Sequence, residues 1–254
     1  MSSEKKANVT VVIPTHRREP VGLAGFLEQT KQVWILNNGS VAISKKYSDQ
    51  IQNIPVFWRG HGQTRQEIVE QVDTDFLFFS VDDALPMEGM LSSLVRTIES
   101  YDCDAVIARQ IAYPDASPIT IMALERWTPN HKEPYEVTQA DHVGTLYRTK
   151  TLREYPLPSV PIAEDAWWSR GRKVLCDPNA VIVHSHVRKT KDLFLRELKI
   201  HQELRKMGRK KERFSLRSDL EGIFGNALKY GYREGFRTSA EIIARRIAWR
   251  SGVR

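Results

Sequence analysis

Over the first 110 residues, short apolar runs alternate with stretches of helical periodicity. Val9-Thr10-Val11-Val12-Ile13-Pro14 is largely β-branched and closes on a proline, which suits the first strand of a parallel sheet. Gly22 to Gln29 has room for one or two helical turns, and Val33-Trp34-Ile35-Leu36 reads as a second strand that turns at Asn37-Asn38-Gly39-Ser40. Ile54 to Trp58 reads as a third, edge-like strand. Thr64 to Val72 then sets Ile68, Val69 and Val72 at helical spacing. Phe76 to Val81 is apolar enough to be buried on both faces of a parallel sheet. Met87 to Ser100 places Met90, Leu91, Leu94, Val95 and Ile98 on one helix face, and Ala105 to Ala108 follows as a strand. Such alternation predicts an α/β fold built on a right-handed, mostly parallel βαβ sheet flanked by helices.

Beyond it the pattern weakens. Between Tyr113 and Pro134 there are prolines at 114, 118, 129 and 134 and little periodicity, which predicts an irregular insertion over the ligand site. Val143 to Tyr147, Val174 to Cys176 and Ala180 to Val183 read as short strands, the last ending at His184-Ser185-His186. Thr190 to Met207 carries Leu193, Phe194, Leu198 and Leu204 as an apolar stripe among basic residues. Helical stretches follow at about Asp219 to Tyr230 and Ser239 to Trp249. The expected organisation is a catalytic domain over 1–190 and a basic, amphipathic helical extension over 191–254.

Charge sharpens that division. The chain carries a net +7, yet residues 191–254 hold 17 Lys plus Arg against 8 Asp plus Glu, or +9, which leaves −2 for the first 190. A basic amphipathic extension suits an anionic membrane surface or, less well, nucleic acid; a solvated appendage is the plainer reading. No apolar run approaches the roughly 18 residues that span a bilayer. Met1 to Lys6 lacks the apolar core of a signal peptide, so the expected location is the cytoplasm, peripheral at the inner face of the plasma membrane. Cys103 and Cys176 are the two cysteines, too few for a disulfide framework, and are expected in the core.

Chemistry concentrates at the strand ends. Asp82 and Asp83 close the apolar run, and two adjacent carboxylates repel unless a cation or a hydrogen-bond network lies between them. Asp-Asp ahead of Pro86 is also ordinary turn chemistry. Strand-end placement would gather Pro14-Thr15-His16-Arg17-Arg18, the Asn37 turn, Asp82-Asp83, Glu164-Asp165 and His184-Ser185-His186 on one rim, where open α/β sheets bind ligands.

In order and spacing these motifs resemble the inverting, GT-A-type glycosyltransferases of family 2, over roughly residues 8 to 190, and are similar to bacterial polysaccharide glycosyl and rhamnosyl transferases. The resemblance implies a GT-A fold and transfer of a sugar from a nucleotide diphosphate sugar to a hydroxyl of a glycan or lipid-linked glycan. Mn²⁺ or Mg²⁺ would stabilise the leaving diphosphate. By the same resemblance Asp165 is the general base, while Glu164 and Trp167 face the acceptor. Pro14, Thr15, Arg17, Asn38, Arg65 and Asp82 contact the donor, and Asp83 with His184 holds the metal, Asp82 being the alternative metal ligand to Asp83. Glu164 and Asp165 equally suit a helix amino terminus, and only one of His184 and His186 can face the site. Two departures stand out: Asn37 replaces the usual acid of the turn, and the leading acid of the Asp-x-Asp motif has become Val81 or Ser80. The alternative implied is a nucleotide-sugar-binding module without catalysis.

Overall fold

The computed structural model describes residues 7–16, 18–39, 41–185, 190–208 and 215–250. Its contacts divide the chain into two compact units, one of residues 1–114 and 124–185, the other of residues 115–123 and 186–254.

The first unit is a nine-stranded sheet between helices. Strands β1 (Ala7–Thr15), β2 (Thr30–Asn37), β3 (Gln52–Pro55), β4 (Phe76–Ser80), β5 (Leu85–Pro86), β6 (Ala105–Ile111), β7 (Tyr135–Val137), β8 (Gly144–Arg148) and β9 (Val174–Val183) are ordered β3-β2-β1-β4-β8-β6-β9-β5, with β7 also on β9. β1 lies parallel to β2 and β4, β2 to β3, and β6 to β9; β8 runs antiparallel between β4 and β6. Alternate side chains of the central strands enter two cores. Val9, Val11, Ile13, Phe76 and Phe78 pack with α1 (Leu23–Gln29) and α4 (Met90–Ser100). Val12, Leu77 and Phe79 pack with α3 (His61–Val69), α6 (Thr149–Glu154) and α7 (Glu164–Trp168). The helix α2 (Lys45–Ser48) is a single turn. Cys103 and Cys176 are free and buried, and burial pushes both thiols up to about 11.

Two expectations are corrected here. The segment after Tyr113 contains a ten-residue helix, α5 (Pro118–Trp127). Its prolines read as breakers, but Pro118 opens the helix, where a missing amide costs nothing. The two short strands expected at 174–176 and 180–183 are one, β9, whose register against β6 shifts between Ala108 and Arg109. Pro178 occupies that irregularity, as prolines inside sheets tend to. Beside it the buried Asp177 accepts from Ser93 Oγ at 2.7 Å, Thr97 Oγ1 at 2.9 Å and the Asn179 amide at 2.9 Å. The Arg109 guanidinium, through Nε, donates to the Pro178 carbonyl at 3.0 Å.

The second unit carries α8 (Thr190–Lys206), α9 (Leu216–Tyr230) and α10 (Tyr232–Arg250), and α10 packs against both others. Among the described residues no helix is long and apolar enough to cross a membrane.

Candidate active site

Ser80, the last residue of β4, lies opposite Gly144, the first of antiparallel β8. The carboxyl ends of the parallel strands and the chain entering β8 therefore share one rim of the sheet. Two groups of polar side chains stand there.

The first surrounds the paired acids. Arg18 Nη2 lies 3.7 Å from Asp82 Oδ1 and 3.5 Å from Asp83 Oδ2, supplying the countercharge that adjacent carboxylates need. Thr15 Oγ1 is 3.2 Å from Asp82 Oδ2 and also within reach of the Arg18 carbonyl. The backbone is held as firmly as the side chains. The Val21 amide donates to the Asp82 carbonyl at 3.0 Å and the Tyr113 hydroxyl to the Asp83 carbonyl at 2.9 Å. A Cβ on Gly22 would fall 2.3 Å from the Ala84 carbonyl oxygen, so this approach of the 82–86 turn to the start of α1 requires glycine. His184, anchored by its amide to the Ile111 carbonyl at 2.8 Å, brings Nε2 to 3.5 Å from Asp83 Oδ1.

Neighbouring loops complete this end. Pro14 sits in β1 opposite Leu36, and the Asn38 amide donates to the Thr15 carbonyl at 2.8 Å. His16 Nδ1 meets the Asn38 carbonyl. Asn37 uses its side chain to close the turn, accepting from the Val41 amide at 2.9 Å and donating to the Val41 carbonyl at 2.8 Å. The missing leading acid is also accounted for: buried Ser80 donates to the Val143 carbonyl at 2.9 Å, and Val81 packs against the core. Arg17 and His186 lie outside the described residues.

Do these donors suit a divalent ion? One carboxylate oxygen and one imidazole nitrogen 3.5 Å apart are near the roughly 3 Å that separates adjacent ligands on an ion with bonds of about 2.1 Å, and oxygen with imidazole suits Mn²⁺. No group of three or more His, Cys, Asp or Glu gathers for a metal among the described residues. Asp83 and His184 fit such an ion as a pair, with Asp82 beside them.

The second group is built on α7. Ala163, just before it, is the one non-glycine among the described residues with positive φ, at 65°, and this left-handed turn brings Glu164 and Asp165 into the first turn of the helix. Glu164 is buried, with Oε1 3.0 Å from His142 Nδ1 and 3.6 Å from Arg65 Nη1. Burial pushes its carboxyl up, but the hydrogen bond and charge of His142, then Arg65 and His61, pull harder and hold it down at about 2. Asp165, partly buried, moves the other way. Burial, with Glu164 and Asp141 adding to it, outweighs His142 and the Ala166 amide and lifts the carboxyl to about 6. Asp165 Oδ1 accepts from that amide at 2.8 Å. Catalytic carboxyls are recognised by such divergence between neighbours.

Residues 10–155, from β1 through α6, match the family described as glycosyl transferase family 2. The chain belongs to that family. No curated protein matches this family 2 glycosyltransferase in sequence. Among solved structures it is similar to the mannosyltransferase PcManGT from Pyrobaculum calidifontis in complex with GDP-Man and Mn²⁺, at 13% identity over 98% of this chain and 77% of that one, with a TM-score of 0.61. It also resembles GalNAc-T7 with UDP, GalNAc and Mn²⁺, at 11% identity over 96% of this chain and 58% of that one, TM-score 0.55. A third similar structure is S. aureus TarS 1-349 with UDP, at 15% identity over 95% of this chain and 90% of that one, TM-score 0.52. At such identities the likeness is one of fold, and the fold of this family 2 glycosyltransferase is GT-A.

The family match includes Thr15, Asn38, Arg65, Asp82 and Asp83 but stops before Glu164, Asp165, Trp167 and His184, whose places rest on geometry. Arg65, expected against the donor, is buried instead, donating to the His61 carbonyl at 3.2 Å beside Glu164, with its guanidinium 5.7 Å from the Phe79 ring centroid. Trp167 is half-buried, with Arg170 5.9 Å from its ring centroid. Two residues, His142 and Tyr113, escaped the sequence reading, and Arg18 entered it only as part of the loop after β1. Arg18 neighbours Arg17 in one basic loop, and nothing local distinguishes them. His142 sits one residue before the strand expected at Val143 to Tyr147, which is the signal that would have found it, whereas Tyr113 lies five residues past the strand expected at Ala105 to Ala108, because β6 runs on to Ile111.

Proposed function

We propose that this family 2 glycosyltransferase is an inverting, metal-assisted enzyme that moves a sugar from a nucleoside diphosphate to a hydroxyl of a glycan or lipid-linked glycan. The observation that carries the reading is the placement of two acidic pairs on one rim of the sheet: Asp82 and Asp83 between Arg18 and His184, and Glu164 and Asp165 at the start of α7, where His142 and Arg65 engage Glu164 while burial raises Asp165. A carboxylate whose proton affinity is raised by burial accepts a proton more readily, as a general base requires. In this reading Asp165 takes the acceptor proton as the hydroxyl attacks the face of the sugar opposite the leaving group. Glu164, its charge fixed by His142 and Arg65, keeps α7 in place.

Thr15, Arg18, Asn38 and Asp82 form the donor end. Asp83 and His184 would hold Mn²⁺ or Mg²⁺, which when bound supplies Lewis-acid stabilisation of the leaving diphosphate. Arg18 can turn from the acid pair to phosphate oxygens, since its side chain is half exposed. A lipid-linked acceptor would be met at an anionic membrane surface.

The test combines binding with turnover. UDP and GDP, each with and without Mn²⁺, are screened for thermal stabilisation, and the matching nucleotide sugars for transfer. The expected result is a shift that needs nucleotide and Mn²⁺ together and disappears in Asp83→Asn. Asp165→Asn should keep that shift while losing about 10²–10⁴-fold in transfer. Undiminished transfer by Asp165→Asn refutes the base assignment. Nucleotide binding without turnover by the unaltered protein would instead identify the non-catalytic module.

A further inference from the structure

α9 and α10 leave much of their large apolar surface exposed. α9 has no fully buried side chain among its described residues, yet Leu220, Phe224 and Leu228 recur every fourth position and are 42%, 61% and 88% exposed. On α10 the buried positions include Gly235, Thr238, Ala244 and Ala248, whereas Tyr232, Phe236 and Ile243 are exposed at 68%, 67% and 50%. Tyr232, Phe236 and Ile243 share one stripe, at i, i+4 and i+11. The two helices meet through small groups: a Cβ on Gly235 would come within 2.7 Å of Ala227 Cβ, and Asn226 Nδ2 donates to Thr238 Oγ1 at 2.9 Å. Trp249 is buried, but where α9 meets α10 the contact is made by small residues while large apolar ones face out, and apolar exposure on this scale marks an interaction surface.

Charge identifies the occupant. Four acids of the unit are engaged internally: Glu221 with Arg217 at 2.8 Å, Glu234 with Arg237 at 2.7 Å, Glu203 with Lys206 at 2.6 Å, and Asp219 with Arg246. Residues 216–250, which form α9 and α10, hold seven Lys and Arg against four Asp and Glu, so a second copy of this chain would bring like charge to these helices. Nucleic acid would answer the charge but leave Phe224 and Leu228 in water. We infer that the exposed faces of α9 and α10 form an interfacial membrane-docking surface, their apolar stripes entering the headgroup boundary of an anionic bilayer while the surrounding Lys and Arg meet lipid phosphates. The helices lie on the bilayer and do not span it. Docking is read without donor or acceptor, so it stands or falls separately from the transfer chemistry.

The experiment is flotation of the full chain with phosphatidylcholine vesicles and with vesicles containing phosphatidylglycerol. Binding is expected to the anionic vesicles alone and to fall as salt is raised. Phe224→Glu and Leu228→Glu should each weaken it roughly tenfold or more. Lys199→Glu with Lys229→Glu should remove the anionic preference, while circular dichroism and solution turnover of a nucleotide sugar stay unchanged. Equal binding to neutral vesicles, or none to either, overturns the inference. So does a dimer in solution that the same glutamates dissolve, or tight DNA binding indifferent to Phe224→Glu.

Discussion

Replacing Asp165 by asparagine should make the protein more stable and less active at once. The carboxyl is raised from an ordinary 3.8 to about 6, chiefly by burial and then by Glu164 and Asp141. A group whose folded pKa lies above its unfolded one favours the native state at low pH. That contribution is lost as pH rises from about 4 through about 6, because the unfolded chain ionises freely and the native one resists. Above that window the unaltered protein therefore carries a penalty that asparagine lacks. That rise corresponds to at most ~3 kcal/mol, and partial exposure screens this to about 1–2 kcal/mol. Asparagine can still accept the Ala166 amide hydrogen bond through Oδ1, so the comparison isolates charge. Urea unfolding at pH 8 should show Asp165→Asn more stable by that amount, with a melting temperature higher by about 2–8 °C. The difference should vanish below about pH 4. A variant that is equally or less stable at pH 8, or whose difference does not vary with pH, refutes the assignment of a strained carboxylate at this position.

Other substitutions probe the frame around the site. Gly62→Ala would set a Cβ 2.4 Å from the Pro158 carbonyl oxygen and 3.1 Å from Glu164 Cβ, so it should cost about 1–3 kcal/mol in urea melts and depress transfer along with stability. Ala163→Gly should relieve the left-handed backbone at φ 65° and stabilise by about 0.5–1 kcal/mol, after the greater freedom of glycine in the unfolded chain is subtracted. Asp177→Ala would strand the hydroxyls of Ser93 and Thr97 and the Asn179 amide, costing about 3 kcal/mol, whereas Asp177→Asn should lose less because it keeps an acceptor. Thermal and urea melts of the pair separate lost charge from lost acceptor.

Patterning made the sheet legible where burial is two-sided and contiguous. Val9 to Ile13 and Phe76 to Phe79 fill both cores, so their sequences say strand with little ambiguity. It failed where tertiary context overrides local preference. Pro118 starts a helix that composition argues against, and Pro178 interrupts periodicity inside β9 without ending it. β8 gives no sign in its sequence that it runs antiparallel between β4 and β6; direction is set by what its neighbours offer. The site divides similarly. Residue types at strand ends point to Asp82, Asp83, Glu164, Asp165 and His184 as one rim. Which arginine meets the acids, and that Arg65 turns inward to Glu164, depend on side-chain paths that no spacing encodes.

The strand order also bears on how the protein resists self-association. One border of the sheet is β3, four residues long and ending in Pro55. At the other, the outward side of the ten-residue β9 is divided between β7 at Val174–Cys176 and β5 at Ile182–Val183. Each outer strand spans four residues or fewer, and Pro55 and Pro86 withhold an amide hydrogen. Neither border offers the long, flat row of unpaired backbone groups that templates intermolecular β-pairing. A sheet made apolar on both faces is in this way kept from growing past its own ends.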